Sequence, residues 1–244
     1  MATWRVLTWN IHGAARPDLG LLAAVVARAA PDVVALQEVR RAQAAQLAGR
    51  LAWNDVWMLK HNSYTPLAWW LAEGLAILSP SLLSDVGRVA ISPRVRKRSH
   101  RRRVLLVATA TRGSDTLRLS NTHLATDDAD HRILQARRIA GRIRADAAPT
   151  AVVAGDLNAR DEVEVLRELA AAGLRDPGGD PTSPAVGPYQ RIDYVLVPER
   201  AVVGAVDTPD GGQHWHRLSD HLPVLVEFTV EDAAVTVAPR PATG

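Results

Sequence analysis

The chain has 244 residues, 47% hydrophobic and 23% charged, enough apolar material for a sizeable core and too much for wholesale disorder. It has no cysteine, which excludes disulfides, thiolate metal sites and cysteine nucleophiles and leaves oxygen or imidazole ligands, the preference of a hard cation, for any metal. The net charge is only +3 with a pI near 9.8, and 27 of the 29 basic residues are arginine, Lys60 and Lys97 being the exceptions.

The elements expected from periodicity begin with a strand over about 4–9 ending in Thr8-Trp9-Asn10, and an Ala-rich helix near 18–29 stopped by Pro31. A buried strand over 33–36 then ends in Gln37-Glu38, and a second Ala-rich helix runs over 40–51. Strand-length runs at 74–78, 103–110 and 116–122 follow with turns rather than helices between them, and the last closes on His123. A helix over 128–145 places Ile133, Ala136, Ile139, Ala140 and Ile143 on one face. A strand over 150–154 leads into Gly155-Asp156-Leu157-Asn158, a helix spans 161–172, and strands at 192–197 and 223–230 complete the pattern. Between them lies a Pro/Gly-rich loop from Asp176 to Gln190, long enough to expect a function for it. Alternating strand and helix in one part and consecutive strands in another predict mixed sheets, arranged as a two-sheet sandwich with outer helices. One domain is expected over 1–230, with 231–244 a frayed tail. No run reaches the roughly 18 apolar residues of a membrane span, and a first strand near Trp4 leaves no room for a signal peptide, so a monomeric cytoplasmic protein is expected.

Short polar signatures recur where these strands end. A phosphate ester resists attack because its oxygens repel nucleophiles, so its hydrolysis needs a divalent cation, a positioned water and donors around the developing charge. Glu38 can supply a carboxylate to Mg²⁺ with Asn10 beside it, if the two strands are parallel neighbours ending at one edge. Asp156 and Asn158, at i and i+2, can hold water and phosphate while Leu157 turns into the core, and Gly155 leaves room for a ligand; the alternative for Asp156 is a helix N-cap. In Ser219-Asp220-His221 a carboxylate adjoins an imidazole, and Asp193 is the natural partner to orient His221. His123 is paired with Glu73 as a second His-carboxylate couple; the alternative is a core-edge histidine with an exposed glutamate. Trp69, Trp70 and Trp215 are core residues or stacking platforms, and His12 lacks comparable context. The basic run Arg94 to Arg103 reads as a loop whose Arg101, Arg102 and Arg103 contact a nucleic-acid backbone, or as a solvated loop in an arginine-rich chain.

Taken in order, Thr8-Trp9-Asn10, Leu36-Gln37-Glu38, Thr122-His123-Leu124, Gly155-Asp156-Leu157-Asn158, Ile192-Asp193-Tyr194 and Ser219-Asp220-His221 resemble the endonuclease/exonuclease/phosphatase superfamily over about residues 4–230. That superfamily includes pancreatic-type deoxyribonucleases, abasic-site endonucleases, inositol polyphosphate phosphatases and sphingomyelinases. The resemblance implies a four-layered α/β sandwich, two mixed β-sheets packed face to face with helices outside. It also implies Mg²⁺- or Mn²⁺-dependent in-line attack of water on phosphorus. Carried over by position, Glu38, Asn10 and Asp220 are the metal ligands, Asp156 orients or deprotonates the water, and Asn158 fixes the phosphate. His221 with Asp193 and His123 with Glu73 form the two His-carboxylate pairs. The segment Asp180 to Tyr189 departs from the Thr-Trp-Trp-like segment of abasic-site enzymes, which argues against that activity. A phosphodiesterase acting on DNA is the leading expectation. Its rivals are a hydrolase of small or lipid phosphates and a catalytically silent nucleic-acid-binding module.

Overall fold

The computed structural model describes residues 1–60, 71–92, 102–160 and 163–230. Twelve strands form two six-stranded mixed sheets. The first sheet contains β1 (Ala2–Asn10), β2 (Val33–Arg40), β3 (Asn54–Leu59), β4 (Glu73–Ser79), β11 (Val202–Asp207) and β12 (Val224–Val230), in the order β11-β12-β1-β2-β4-β3. The second contains β5 (Leu82–Ala90), β6 (Val104–Arg112), β7 (Asp115–His123), β8 (Ala151–Asp156), β9 (Leu174–Arg175) and β10 (Asp193–Pro198), in the order β5-β6-β7-β8-β10-β9. Helices α1 (Leu19–Ala29) and α2 (Arg41–Leu51) cover the outside of the first sheet, and α3 (Ala129–Asp146) and α4 (Val163–Ala170) that of the second. This is the expected four-layered sandwich.

Strand alternation explains the layers, since successive side chains point to opposite faces. Along β1, Trp4 and Val6 enter the core between the sheets, while Leu7 and Trp9 pack with Leu22 and Val26 of α1. In the second sheet, Val152 and Ala154 of β8 face inward, and Val153 joins Ile139 and Ile143 of α3. Leu157 and Tyr194 extend this outer core, as expected for Leu157. Each of the two sheets has one parallel pair at its centre, β1 with β2 and β7 with β8, and β1 contacts β8 across the sandwich. The C-terminal ends of four central strands therefore meet at one rim, where α/β sheets commonly place ligands.

The helices lie within a few residues of their expected bounds, and α1 and α3 start at Asp18 and Asp128, whose side chains accept backbone N–H groups. Strands β3, β5, β9 and β11 had no predicted bounds; all four pair on one side only. Among the described residues no helix is long and apolar enough to cross a membrane. The expected tail at 231–244, Trp69 and Trp70, and Arg94 to Arg101 of the basic run lie outside the described residues.

Candidate active site

The site grows out of the space between the sheets as its uppermost layer. Val6, Val33, Leu119 and Val152 form an apolar layer there. One step further along the β1 and β7 faces come Thr8 and Asn121, and two steps along β2 comes Gln37, level with Asn10; all three are fully buried and linked by hydrogen bonds. Gln37 Nε2 donates to Thr8 Oγ1 (3.0 Å) and to Asn121 Oδ1 (2.8 Å). Asn121 Nδ2 crosses to the first sheet and donates to the carbonyls of Leu36 (2.9 Å) and Ala76 (2.8 Å). The next inward positions are Asn10, His123, Asp156 and Asp193, all buried. A period of two, continued past the apolar residues, thus brings four strand ends to one cluster.

Glu38 reaches this layer by a different device. β2 does not end there, as expected, but bulges: Gln37 pairs with Leu75 and Val39 with Gly74, leaving Glu38 unpaired at φ 52°. The bulge returns Val39 to the outer core and turns the Glu38 side chain to the rim, where it is 23% exposed. The parallel pairing that was expected of Asn10 and Glu38 is present, with Asn10 opposite Gln37.

Asp156 is the hub. Its Oδ2 accepts from Asn10 Nδ2 (3.1 Å) and lies 3.5 Å from His123 Nε2, and its Oδ1 accepts the Asn158 backbone N–H (3.0 Å). Asn158 stands at φ 48° with its side-chain amide donating to the Leu124 carbonyl (3.2 Å). Asp156 therefore anchors a turn and is not the N-cap of α4. Gly155 has another reason than ligand space: at its φ of 147° an added Cβ would meet the Thr122 carbonyl oxygen at 1.9 Å, so β7 and β8 pack too closely there for any side chain.

His221 Nδ1 donates to Asp193 Oδ2 (2.8 Å), the expected pair. Thr182, in the Pro/Gly-rich loop, donates to the same oxygen at 2.6 Å. Burial opposes charge on His221, but the charge and hydrogen bond of Asp193, with Asp156 and Asp220 behind them, outweigh it and raise its pKa to about 10. Burial and then Asp193 push Asp156 upward to about 7, against His221 and the Asn10 and Asn158 bonds. The pair thus presents an imidazolium beside a buried carboxyl that ionises reluctantly.

The second His-carboxylate pair differs from expectation. Glu73 does not bond His123; its Oε1 accepts the Ala14 backbone N–H (2.9 Å), so it ties β4 to the 3₁₀ turn Gly13–Ala15. Burial first and Glu38 second raise its pKa. His123 instead has Glu38 Oε1 3.6 Å from Nδ1 and Asp156 near Nε2. Its third neighbour is Lys60, which sequence reasoning missed: Nζ is buried 3.5 Å from His123 Nδ1 and 4.0 Å from Glu38 Oε1. Burial, with Lys60, Arg103 and His221 adding to it, holds His123 well below the usual imidazole range. That direction favours the neutral imidazole, which stands between Lys60 and Glu38 at Nδ1 and Asp156 at Nε2. Burial and Arg103 together lower Lys60 to about 8, against Glu38, Glu73 and Asp156.

Arg101 lies outside the described residues, Arg102 is half-buried, and Arg103 is buried. The Arg103 guanidinium donates to Thr126 Oγ1 (3.1 Å) and acts electrostatically on Lys60 and His123. It belongs to the floor of the site, not to an exposed basic loop. Trp215 is buried in a T-shaped contact with Trp9, centroids 5.9 Å apart, which favours the core reading over the stacking platform. His12, set aside on sequence, bonds Asn10 Oδ1 through its backbone N–H and places Nδ1 3.3 Å from Asp220 Oδ2. Asp220 is 55% exposed at the rim. A signal for Lys60 did exist: it is one of two lysines in a chain with 27 arginines.

The donor set suits a hard divalent cation. Ligating atoms of Asp156, Asp193 and His221 lie within 4.8 Å of one another, but His221 is protonated and shares its proton with an Asp193 oxygen that also serves Thr182, so the imidazole is not a free ligand. The other, Asp193 Oδ1, is buried with no hydrogen-bond partner among the described residues. Glu38 and Asp220 add carboxylates open to solvent, and no sulfur competes.

A family model described as the endonuclease/exonuclease/phosphatase family matches residues 7–221, and the chain belongs to that family of phosphoester hydrolases. Among solved structures it is similar to an endonuclease/exonuclease/phosphatase from Bacteroides vulgatus, with TM-score 0.79 and 18% identity, covering 95% of this chain and 100% of that one. A second, from Beutenbergia cavernae, has TM-score 0.74 and 24% identity over 94% of this chain and 72% of that one. A third is the mannosyl-6-phosphatase Bt3783 of Bacteroides thetaiotaomicron, with TM-score 0.73 and 17% identity over 93% and 100%. No curated protein matches the sequence.

Proposed function

We propose that this protein hydrolyses phosphate esters with a divalent cation, Mg²⁺ or Mn²⁺, by in-line attack of water and without a covalent intermediate. The observation that carries the reading is the rim layer itself: an imidazolium–carboxylate pair, a neutral histidine and Asp156 converge on one open edge beside the carboxylates of Glu38 and Asp220. Glu38, Asn10 and Asp220 hold the cation, which supplies charge neutralisation on the phosphate oxygens. Asp156 receives a proton from the attacking water, its reluctance to ionise matching a base working near neutral pH. His221, cationic and fixed by Asp193, stabilises charge developing on the phosphoryl oxygens, and Asn158 and His123 orient the ester. Residues 1–230 act as one cytoplasmic, monomeric domain.

The leading substrate class is a phosphodiester, with DNA endonuclease activity its polymeric form. The support for a nucleic-acid substrate is the arginine excess leading into β6, with Arg101 and Arg102 as phosphate contacts and Arg103 behind the site. The test is nicking of supercoiled plasmid beside hydrolysis of bis-p-nitrophenyl phosphate and p-nitrophenyl phosphate, with Mg²⁺, Mn²⁺ or EDTA. Cation-dependent nicking supports the endonuclease form. Activity confined to the small esters assigns the site to small phosphorylated molecules, and no activity on any of the three contradicts the reading.

A further inference from the structure

A pocket of about 320 Å³ adjoins the rim and shares His12, Ser219 and Asp220 with it. Three segments build it: the turn after β1, which carries His12 and Pro17; Pro184 to Val186 of the Pro/Gly-rich loop; and His216 to Asp220. Backbone bonds fix these walls to one another and to the site. Ala185 N–H donates to the Asp220 carbonyl (2.7 Å), Leu222 N–H to the Thr182 carbonyl (2.8 Å), and Asp18 N–H to the Arg217 carbonyl (3.4 Å). The Ser219 hydroxyl donates to the Asn10 carbonyl at 2.6 Å. The pocket is therefore preformed, and two of its wall residues, Ser219 and Asp220, are neighbours of His221.

Its chemistry is mixed. Pro17, Pro184, Val186 and Leu218 give apolar surface, while His12, His216, Arg217 and Asp220 place nitrogen and oxygen groups around it. Pockets at the lower end of the usual volume range, apolar with a few polar groups at fixed places, suit one small ring with hydroxyl or amide substituents.

We propose that this pocket is a specificity subsite that takes a single hydroxylated ring esterified to the phosphate at the rim. Among the small esters that the proposed function admits, sugar and nucleoside phosphoesters are then preferred. The inference rests on the hydrolytic reading above and deepens it. Apolar walls exclude water from one ring face, and His216 and Arg217 bond the hydroxyls. Asp220, shared between pocket wall and rim, sets the spacing between ring and phosphorus.

The test compares thymidine 5′-(p-nitrophenyl phosphate), which carries a hydroxylated sugar ring, with methyl p-nitrophenyl phosphate, whose one ring is the nitrophenyl leaving group common to both, in wild type, Val186→Trp and the milder Val186→Ile. Filling the pocket lowers the ratio of kcat/KM for the ring ester over the methyl ester by at least about tenfold in Val186→Trp, through KM, with a smaller drop in Val186→Ile. An unchanged ratio in a folded variant overturns the proposal. Competition by glucose 6-phosphate and thymidine 5′-phosphate separates a sugar pocket from a nucleoside pocket. If wild type hydrolyses neither ester, binding of those two phosphates by calorimetry still decides: binding lost in Val186→Trp supports the pocket while the hydrolytic reading fails, and binding absent from wild type or equal in both proteins sinks the pocket as well.

Discussion

At the residue scale, the charge states of two histidines separate their roles. His221 is raised from 6.5 to about 10 in the folded chain, so its stabilising bond to Asp193 is fully present below about pH 6.5 and is lost as pH climbs through about 10. In metal-free protein, the stability difference between wild type and His221→Gln should be large at pH 6 and nearly gone above pH 10. Denaturant titrations at several pH values measure it, and a gap that widens with pH would refute the assignment. His123 is held neutral partly by Lys60. Replacing that ammonium by an apolar group of similar length in Lys60→Met should raise the His123 titration midpoint, read from its imidazole C–H resonances by NMR. An unmoved midpoint would remove Lys60 from the site. Most of these residues were legible because each is a polar residue attached to an aliphatic strand, where a packed core has no use for one. Lys60 and His12 were not, since each follows its strand without a motif and acquires meaning only through neighbours distant in sequence. Glu73 has the reverse history: its place at the start of a strand suggested a histidine partner, but a backbone N–H of a turn 59 residues away claims its oxygen.

At the scale of elements, two short sequences explain why the strand ends converge. Gln37 and Asn121 join β2 to β7 through buried amides. Gln37→Leu leaves Asn121 Oδ1 and Thr8 Oγ1 without their shared donor in a dry layer, so a loss of about 1–3 kcal/mol is expected by denaturant unfolding. Wild-type stability in that variant would mean the amide layer contributes nothing. Gly155 is tighter still: a methyl group there collides with the Thr122 carbonyl in a positive-φ conformation, and Gly155→Ala should cost at least about 2 kcal/mol and disturb Asp156 next to it. The central strands were legible because burial on both faces writes continuous Val, Ile, Leu and Ala runs. The strands without predicted bounds have partners on one side only, and β5 and β11 mix exposed and half-buried positions. The Glu38 bulge was invisible for a similar reason, because an extra residue leaves the composition of a strand unchanged and appears only in its pairing.

At the scale of the whole molecule, parallel pairs at the centre of both sheets, facing each other, create a single rim with acidic, imidazole and amide groups from both halves of the chain. The fold class was legible, as was the list of strand ends; the pocket beside Asp220 was not, because it is assembled from segments near residues 12, 184 and 216 that carry no shared pattern. The proposed function requires that Glu38 and its neighbours hold a divalent cation on which hydrolysis depends. Calorimetric titration of Mn²⁺ into wild type and Glu38→Ala, with turnover of bis-p-nitrophenyl phosphate measured on the same samples, tests it most directly. Glu38→Ala is expected to lose Mn²⁺ binding and at least about 10²-fold in rate together while remaining folded. A Glu38→Ala protein that binds Mn²⁺ and hydrolyses the ester as wild type does would contradict it.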